Sequence, residues 1–166
     1  SVAMAQLSFD KKQLDFHPTY ADKNVEGVFN FKNAGNYAVT ILSVKSNCGC
    51  TTAKLDKMAY QPGETGKIFA KFDIGQRVGF QQKDIIVRTD DPHGKDGKGT
   101  MVQLTMQVHI PELVRETPKF VNWQIGEAKT PKTISFQVVH TEPIHVLGVE
   151  SSYERLVAKL VTIKEG

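Results

Sequence analysis

The sequence predicts an all-β protein, an Ig-like β-sandwich over residues 6–110 followed by a second, short or incomplete Ig-like β unit over 111–166. Three observations predict it. Apolar and polar residues alternate with period two through short segments, the pattern of half-buried strands. Gly, Pro, Asn and Asp punctuate those segments where turns require them. Finally, 166 residues with 40% hydrophobic and 23% charged side chains have the balance of a packed protein, not of a disordered one.

The elements follow in order. Residues 1–5 read as a residual signal or tag: Ala3-Met4-Ala5 before Gln6 has the small-residue form that signal peptidase accepts, which points to export. Leu7–Phe9 and Gln13–Phe16 are short strand candidates. In the next, Val25, Gly27, Phe29 and Phe31 face one way and Glu26 and Asn30 the other. Asn33-Ala34-Gly35-Asn36 supplies residues that tolerate positive φ, and Val39–Lys45 is the strand beyond it. Gln61-Pro62-Gly63-Glu64 fits a type II turn. Ile68, Ala70, Phe72 and Ile74 then alternate with Lys67, Lys71 and Asp73, and Lys83–Thr89 follows. The cleanest alternation sets Val102, Leu104, Met106, Val108 and Ile110 against Gln103, Thr105, Gln107 and His109; a slip of one residue would expose five apolar groups. About seven strands in ~105 residues is the spacing of two stacked antiparallel sheets.

Pro111 interrupts pairing, and the charge balance changes there too. Residues 1–110 carry 14 basic and 11 acidic side chains, while 111–166 carry 7 and 7, every acid a Glu. Leu113–Val121, Thr133–Val139 and Ile144–Val149 are the strand candidates of this unit. The last segment has two readings. Ser151 and Glu154 form a capping-box pair ahead of Leu156, Leu160 and Ile163, whereas β-branched Val157, Val161, Thr162 and Ile163 favour a strand, the reading preferred here. About four strands in 56 residues is small for a self-sufficient core.

Composition also narrows function. A net charge of +3 is too small for the cationic stripe that nucleic acid requires, so no nucleic-acid partner is expected. No stretch approaches the ~18 apolar residues of a membrane-spanning helix, so no transmembrane segment is expected in this chain.

Phe29 to Asn36, then Val39, Ile41 and Val44, then Asn47-Cys48-Gly49-Cys50-Thr51, then Pro62-Gly63-Glu64-Thr65-Gly66 together resemble a bacterial family known as domain of unknown function 1573. The resemblance covers roughly residues 9–110; the usual serine before the first cysteine is Asn47 here. It implies an Ig-like sandwich related to the ASH, hydin and major-sperm-protein modules, usually found in exported or surface-anchored bacterial proteins. It implies no reaction.

Cys48 and Cys50 are the chemically distinctive pair. On an extended strand their Cα atoms would lie ~6.6 Å apart, at the long end of what a disulfide spans, so a bridge requires a kink that Gly49 can supply. Three readings stay open: a buried pair or strained clip, a redox site, or a soft-metal site that would still need about two more ligands. His17, His93, His109, His140 and His145 are scattered through the sequence, and His109 falls on the polar face of its strand. Asp90, Asp91, His93 and Asp96 form a possible binding loop, for carbohydrate or calcium, although the spacing is not that of an EF-hand. Gly94 to Thr100 lacks the spacing and the following helix of a phosphate loop. No nucleophile elbow or zinc-protease motif is present, and no cofactor is expected. The expectation is therefore a non-catalytic, exported structural or adhesive module, binding protein partners or its own kind through sheet edges and loops. The alternative is an envelope thiol-redox or soft-metal protein using Cys48 and Cys50.

Overall fold

A computed structural model describes residues 7–91, 99–139 and 146–163. Its contacts divide the chain into two units, Ser1–Pro111 and Glu112–Gly166. Residues 1–6, which include the Ala3-Met4-Ala5 signal, lie outside the described residues.

The first unit is a two-layer sandwich. One sheet has four strands in the order β1 (Leu7–Phe9), β3 (Asn24–Asn33), β7 (Thr65–Asp73) and β5 (Thr51–Leu55). The other has five, in the order β2 (Gln13–Phe16), β9 (Met101–Ile110), β8 (Gly79–Thr89), β4 (Val39–Ser46) and β6 (Ala59–Tyr60). The pairings are antiparallel except β2 with β9, which run parallel, a departure from the antiparallel expectation. The chain enters β2 from the other sheet, so its direction there is not set by a hairpin.

The period-two pattern places the core. Phe29 and Phe31 of β3, Ile68, Ala70 and Phe72 of β7, Ile85 and Val87 of β8 and the five apolar residues of β9 are buried between the layers. Burying a side chain of this size stabilises by about 1.5–3 kcal/mol, which makes the alternation the main determinant of register. In β4 the register shifts between Ile41 and Ser43. Leu42, the extra residue, is 56% exposed, and the shift lets Val44 pack against the core three residues after buried Ile41. Gly27 is inward because no larger residue fits: a Cβ there would meet Leu14 Cδ1 and Phe16 Cζ of β2 at 2.7 Å.

Two strands, β5 and β6, are additional to those expected from the sequence. The second unit is smaller in strand content than expected. Its described residues hold β10 (Val114–Thr117) and β11 (Ser135–Val138), paired antiparallel, so the Leu113–Val121 and Thr133–Val139 candidates survive as shorter strands. The described part of the Ile144–Val149 candidate, Val146 onward, is not a strand. Neither the preferred strand nor the helix forms over 151–163: Ser151 Oγ accepts the Tyr153 N–H at 3.1 Å in a local turn, and Leu156 and Val161 are exposed. A strand needs a neighbour for its peptide groups, and none of the described residues supplies one. Among the described residues no helix is long and apolar enough to cross a membrane.

Candidate functional site

The chain crosses from the five-stranded to the four-stranded sheet at Asn47–Cys50, between β4 and β5. Cys48 and Cys50 close a disulfide there with their Cα atoms 5.3 Å apart, inside the spacing a bridge allows. The chain achieves this by turning, not by running extended. Cys50 N–H points at Cys48 Sγ at 3.2 Å, and Thr51 N–H donates to the Cys48 carbonyl at 3.3 Å. The Ser46 hydroxyl lies 2.7 Å from the Cys48 carbonyl and 2.6 Å from the Thr51 carbonyl and donates to one of them at a time. On the outer side Asn47 N–H donates to the Asp84 carbonyl of β8 at 3.2 Å, anchoring the corner to the five-stranded sheet. Both sulfurs are spent on each other and both cysteines are half-buried. Neither offers a thiolate for a soft metal in this state.

The clip fixes the start of β5, which is the edge of its sheet. Asp73 N–H donates to the Cys50 carbonyl at 2.9 Å. Because peptide groups alternate in direction along a strand, this bond sets the phase. Cys50, Thr52 and Lys54 address β7, and Thr51, Ala53 and Leu55 turn their peptide groups away from it.

Two residues of the possible binding loop, Asp90 and Asp91, are among the described residues. Asp90 Oδ1 accepts the Thr40 N–H at 2.7 Å, and Asp90 N–H donates to the Thr40 carbonyl at 3.0 Å, extending the β4–β8 ladder by side chain. Asp91 is buried at 2% exposure and accepts the Tyr37 hydroxyl at 2.7 Å. Desolvation first, then that hydrogen bond, pushes the Tyr37 phenol up to about 12. Asp90 and Asp91 thus each hold a bond within the end of the sandwich. His93 and Asp96 lie outside the described residues, as do His140, His145 and most of the Gly94–Thr100 run.

Two scattered residues of the sequence do meet. His17 and His109 stack on the outer face of the five-stranded sheet with Asp15 beside them. Parallel pairing of β2 with β9 creates that meeting. No sequence spacing announces it, since 94 positions separate Asp15 from His109.

The profile of a family described as "Protein of unknown function (DUF1573)" matches residues 7–106. No curated protein matches the chain in sequence. Among solved structures, a protein of unknown function from Porphyromonas gingivalis W83 is similar at 14% identity and a TM-score of 0.53, over 65% of this chain and 50% of that one. The VesB protease of Vibrio cholerae is similar at 16% identity and a TM-score of 0.51, over 63% of this chain and 32% of that one. The ASH / PapD-like domain 7 of human CEP192 gives a TM-score of 0.48 at 12% identity, over 64% of this chain and 86% of that one. The chain thus spans half or less of the length of the first two, and the likeness is one of fold.

Proposed function

The chain belongs to the DUF1573 family, and from its Ig-like sandwich we propose a non-catalytic, exported module that binds proteins, or further copies of itself, by strand addition at a sheet edge. The single observation that carries this reading is β5. Among the described residues it is bonded on one side only, to β7. Of its outward peptide groups, those of Thr51 are taken up by Cys48 and Ser46. Ala53 and Leu55 present theirs to an incoming strand, and main-chain pairing of this kind supplies affinity without a pocket. The disulfide at the start of the strand holds the edge in one conformation, which lowers the ordering cost of pairing. The same disulfide supports export, because such bonds persist in oxidising compartments.

Ala53→Pro tests the reading. Proline removes the outward N–H at position 53 and leaves the bonds of β5 to β7 intact. The wild-type chain is expected to self-associate with rising concentration in analytical ultracentrifugation, or to retain envelope proteins, and the variant to lose both with an unchanged melting temperature. Wild-type protein that stays monomeric throughout and retains nothing, or a variant that associates equally well, overturns it.

A second reading rests on the size of the disulfide ring. Only one residue separates the two cysteines, so opening the bond releases little of the fold and leaves the sandwich standing while two thiols appear. Thiol exchange at Cys48 and Cys50 is the activity this would support. A reduction potential within the range of exchange catalysts would favour it, and resistance to reduction until the protein unfolds would end it.

A further inference from the structure

We propose that Asp15, His17 and His109 form a binding site for a divalent transition cation of the zinc type. Asp15 and His17 are two apart, so they project from the same face of the chain at β2. The parallel register sets Asp15 beside Gln107 and Phe16 beside Val108, which brings position 17 next to His109. The result is two imidazoles and a carboxylate whose ligand atoms all lie within 4.8 Å of one another.

The spacings suit a small cation. Zinc bonds of ~2.0–2.2 Å in tetrahedral geometry put neighbouring ligand atoms about 3.3 Å apart. Asp15 Oδ1 is 3.0 Å from His109 Nε2 and 4.0 Å from His17 Nε2, each within about 1 Å of that spacing. Two nitrogen donors with one carboxylate favour zinc, copper or nickel over calcium and magnesium, which require oxygen.

The rings are already side by side before any cation arrives. His17 and His109 stack with centroids 4.6 Å apart and planes 5° from parallel, and Phe80 of β8 packs against His109 at 5.0 Å. A cation lies in the plane of each imidazole that binds it, so one of the two rings must tilt out of the stack on ligation, while Phe80 keeps its packing partner in His109. All three ligands are exposed, so water completes the coordination. A cation here would tie β2, an edge strand of only four residues, to β9.

The test uses untagged full-length protein, oxidised at Cys48 and Cys50, titrated with zinc chloride by calorimetry. One zinc per chain is expected to bind, and the melting temperature to rise by several degrees over protein kept in chelator. His17→Ala, His109→Ala and Asp15→Asn should each weaken binding by more than about tenfold, with far-UV circular dichroism unchanged. His109→Gln stands in if the alanine variant misfolds. The Cys48→Ser, Cys50→Ser double variant should bind as the wild type does, which separates this site from the sulfurs. No zinc binding at millimolar concentration overturns the proposal. So does wild-type affinity in the histidine variants, or equal competition by calcium.

Discussion

Asn33 is fully buried, and its side chain bonds three backbone groups. Nδ2 donates to the carbonyls of Tyr37 and Tyr60, both at 2.9 Å, and Oδ1 accepts the Gly35 N–H at 3.0 Å. It joins the turn after β3 to β6 of the opposite sheet. Asn33→Ala removes these bonds and is expected to cost about 1–3 kcal/mol, the penalty of a buried polar group left unsatisfied. Urea unfolding checks this through a lower midpoint at an unchanged slope. The sequence marks Asn33 as a turn residue and stops there, because one of its partners is 27 positions away and no local pattern encodes a long-range hydrogen bond. A neighbouring network makes stability depend on pH. The Tyr60 hydroxyl, buried, donates to Asp56 Oδ1 at 2.6 Å and holds the Asp56 carboxyl below its ordinary value. Glu64 is lowered as well, first by Lys57 at 2.8 Å and then by the Gln61 N–H. A carboxyl lowered on folding binds fewer protons native than unfolded. Its contribution is therefore complete above the unfolded value, near pH 4, and is lost as pH falls through the folded value. Midpoints measured from pH 6 down to pH 2 should fall below about pH 4, and Asp56→Asn should make that decline shallower.

At the scale of elements, the long strands were legible because each buries a row of apolar side chains, and that row appears in the sequence as alternation. Both β7 and β9 follow it residue by residue. Strands β5 and β6 were not legible. Thr51–Leu55 mixes small and polar residues beside a cysteine motif that suggests chemistry more than pairing, and Ala59–Tyr60 is too short for any period to register. Gly66 shows a further limit: its place on β7 is dictated by the rings of Phe31 and Tyr60, which a Cβ would strike, and those rings come from two other strands. The Cys48–Cys50 clip acts at this scale too. A bridge gains stability mainly by restricting the unfolded chain, and for so short a loop that gain is about 1–2 kcal/mol. The Cys48→Ser, Cys50→Ser variant is accordingly expected to lose no more than about that amount and to melt in one transition. A loss above about 4 kcal/mol would mean that the bridge organises the whole corner between the sheets, and not merely the start of β5.

For the whole molecule, stability follows burial, and burial is unequal. Every buried side chain among the described residues belongs to the first unit, where eighteen hydrophobic ones form one cluster. In the second unit Ile125 and Leu147 are fully exposed, as are most of Val157 and Ile163. Its order comes from a two-stranded ladder and polar contacts: the Trp123 indole N–H donates to the Thr130 carbonyl at 2.9 Å, and Lys132 pairs with Glu127 at 2.6 Å. The sequence is misleading here because alternation records which side chains could be buried together and says nothing of whether a facing layer exists. Two-stranded hairpins are marginal in water, so the second unit should add little to the cooperative transition. Unfolding absorbs about 0.7 kcal/mol per residue near 60 °C, which gives about 115 kcal/mol if all 166 residues melt together and about 75 kcal/mol if only the sandwich does. Calorimetry of the full chain is expected to return the lower value. A fragment ending at Pro111 should melt within a few degrees of it, and residues 112–166 alone should show no cooperative transition. An enthalpy near the higher figure would mean that the exposed apolar residues of the second unit are covered in solution, by another copy of the chain or by the chain itself.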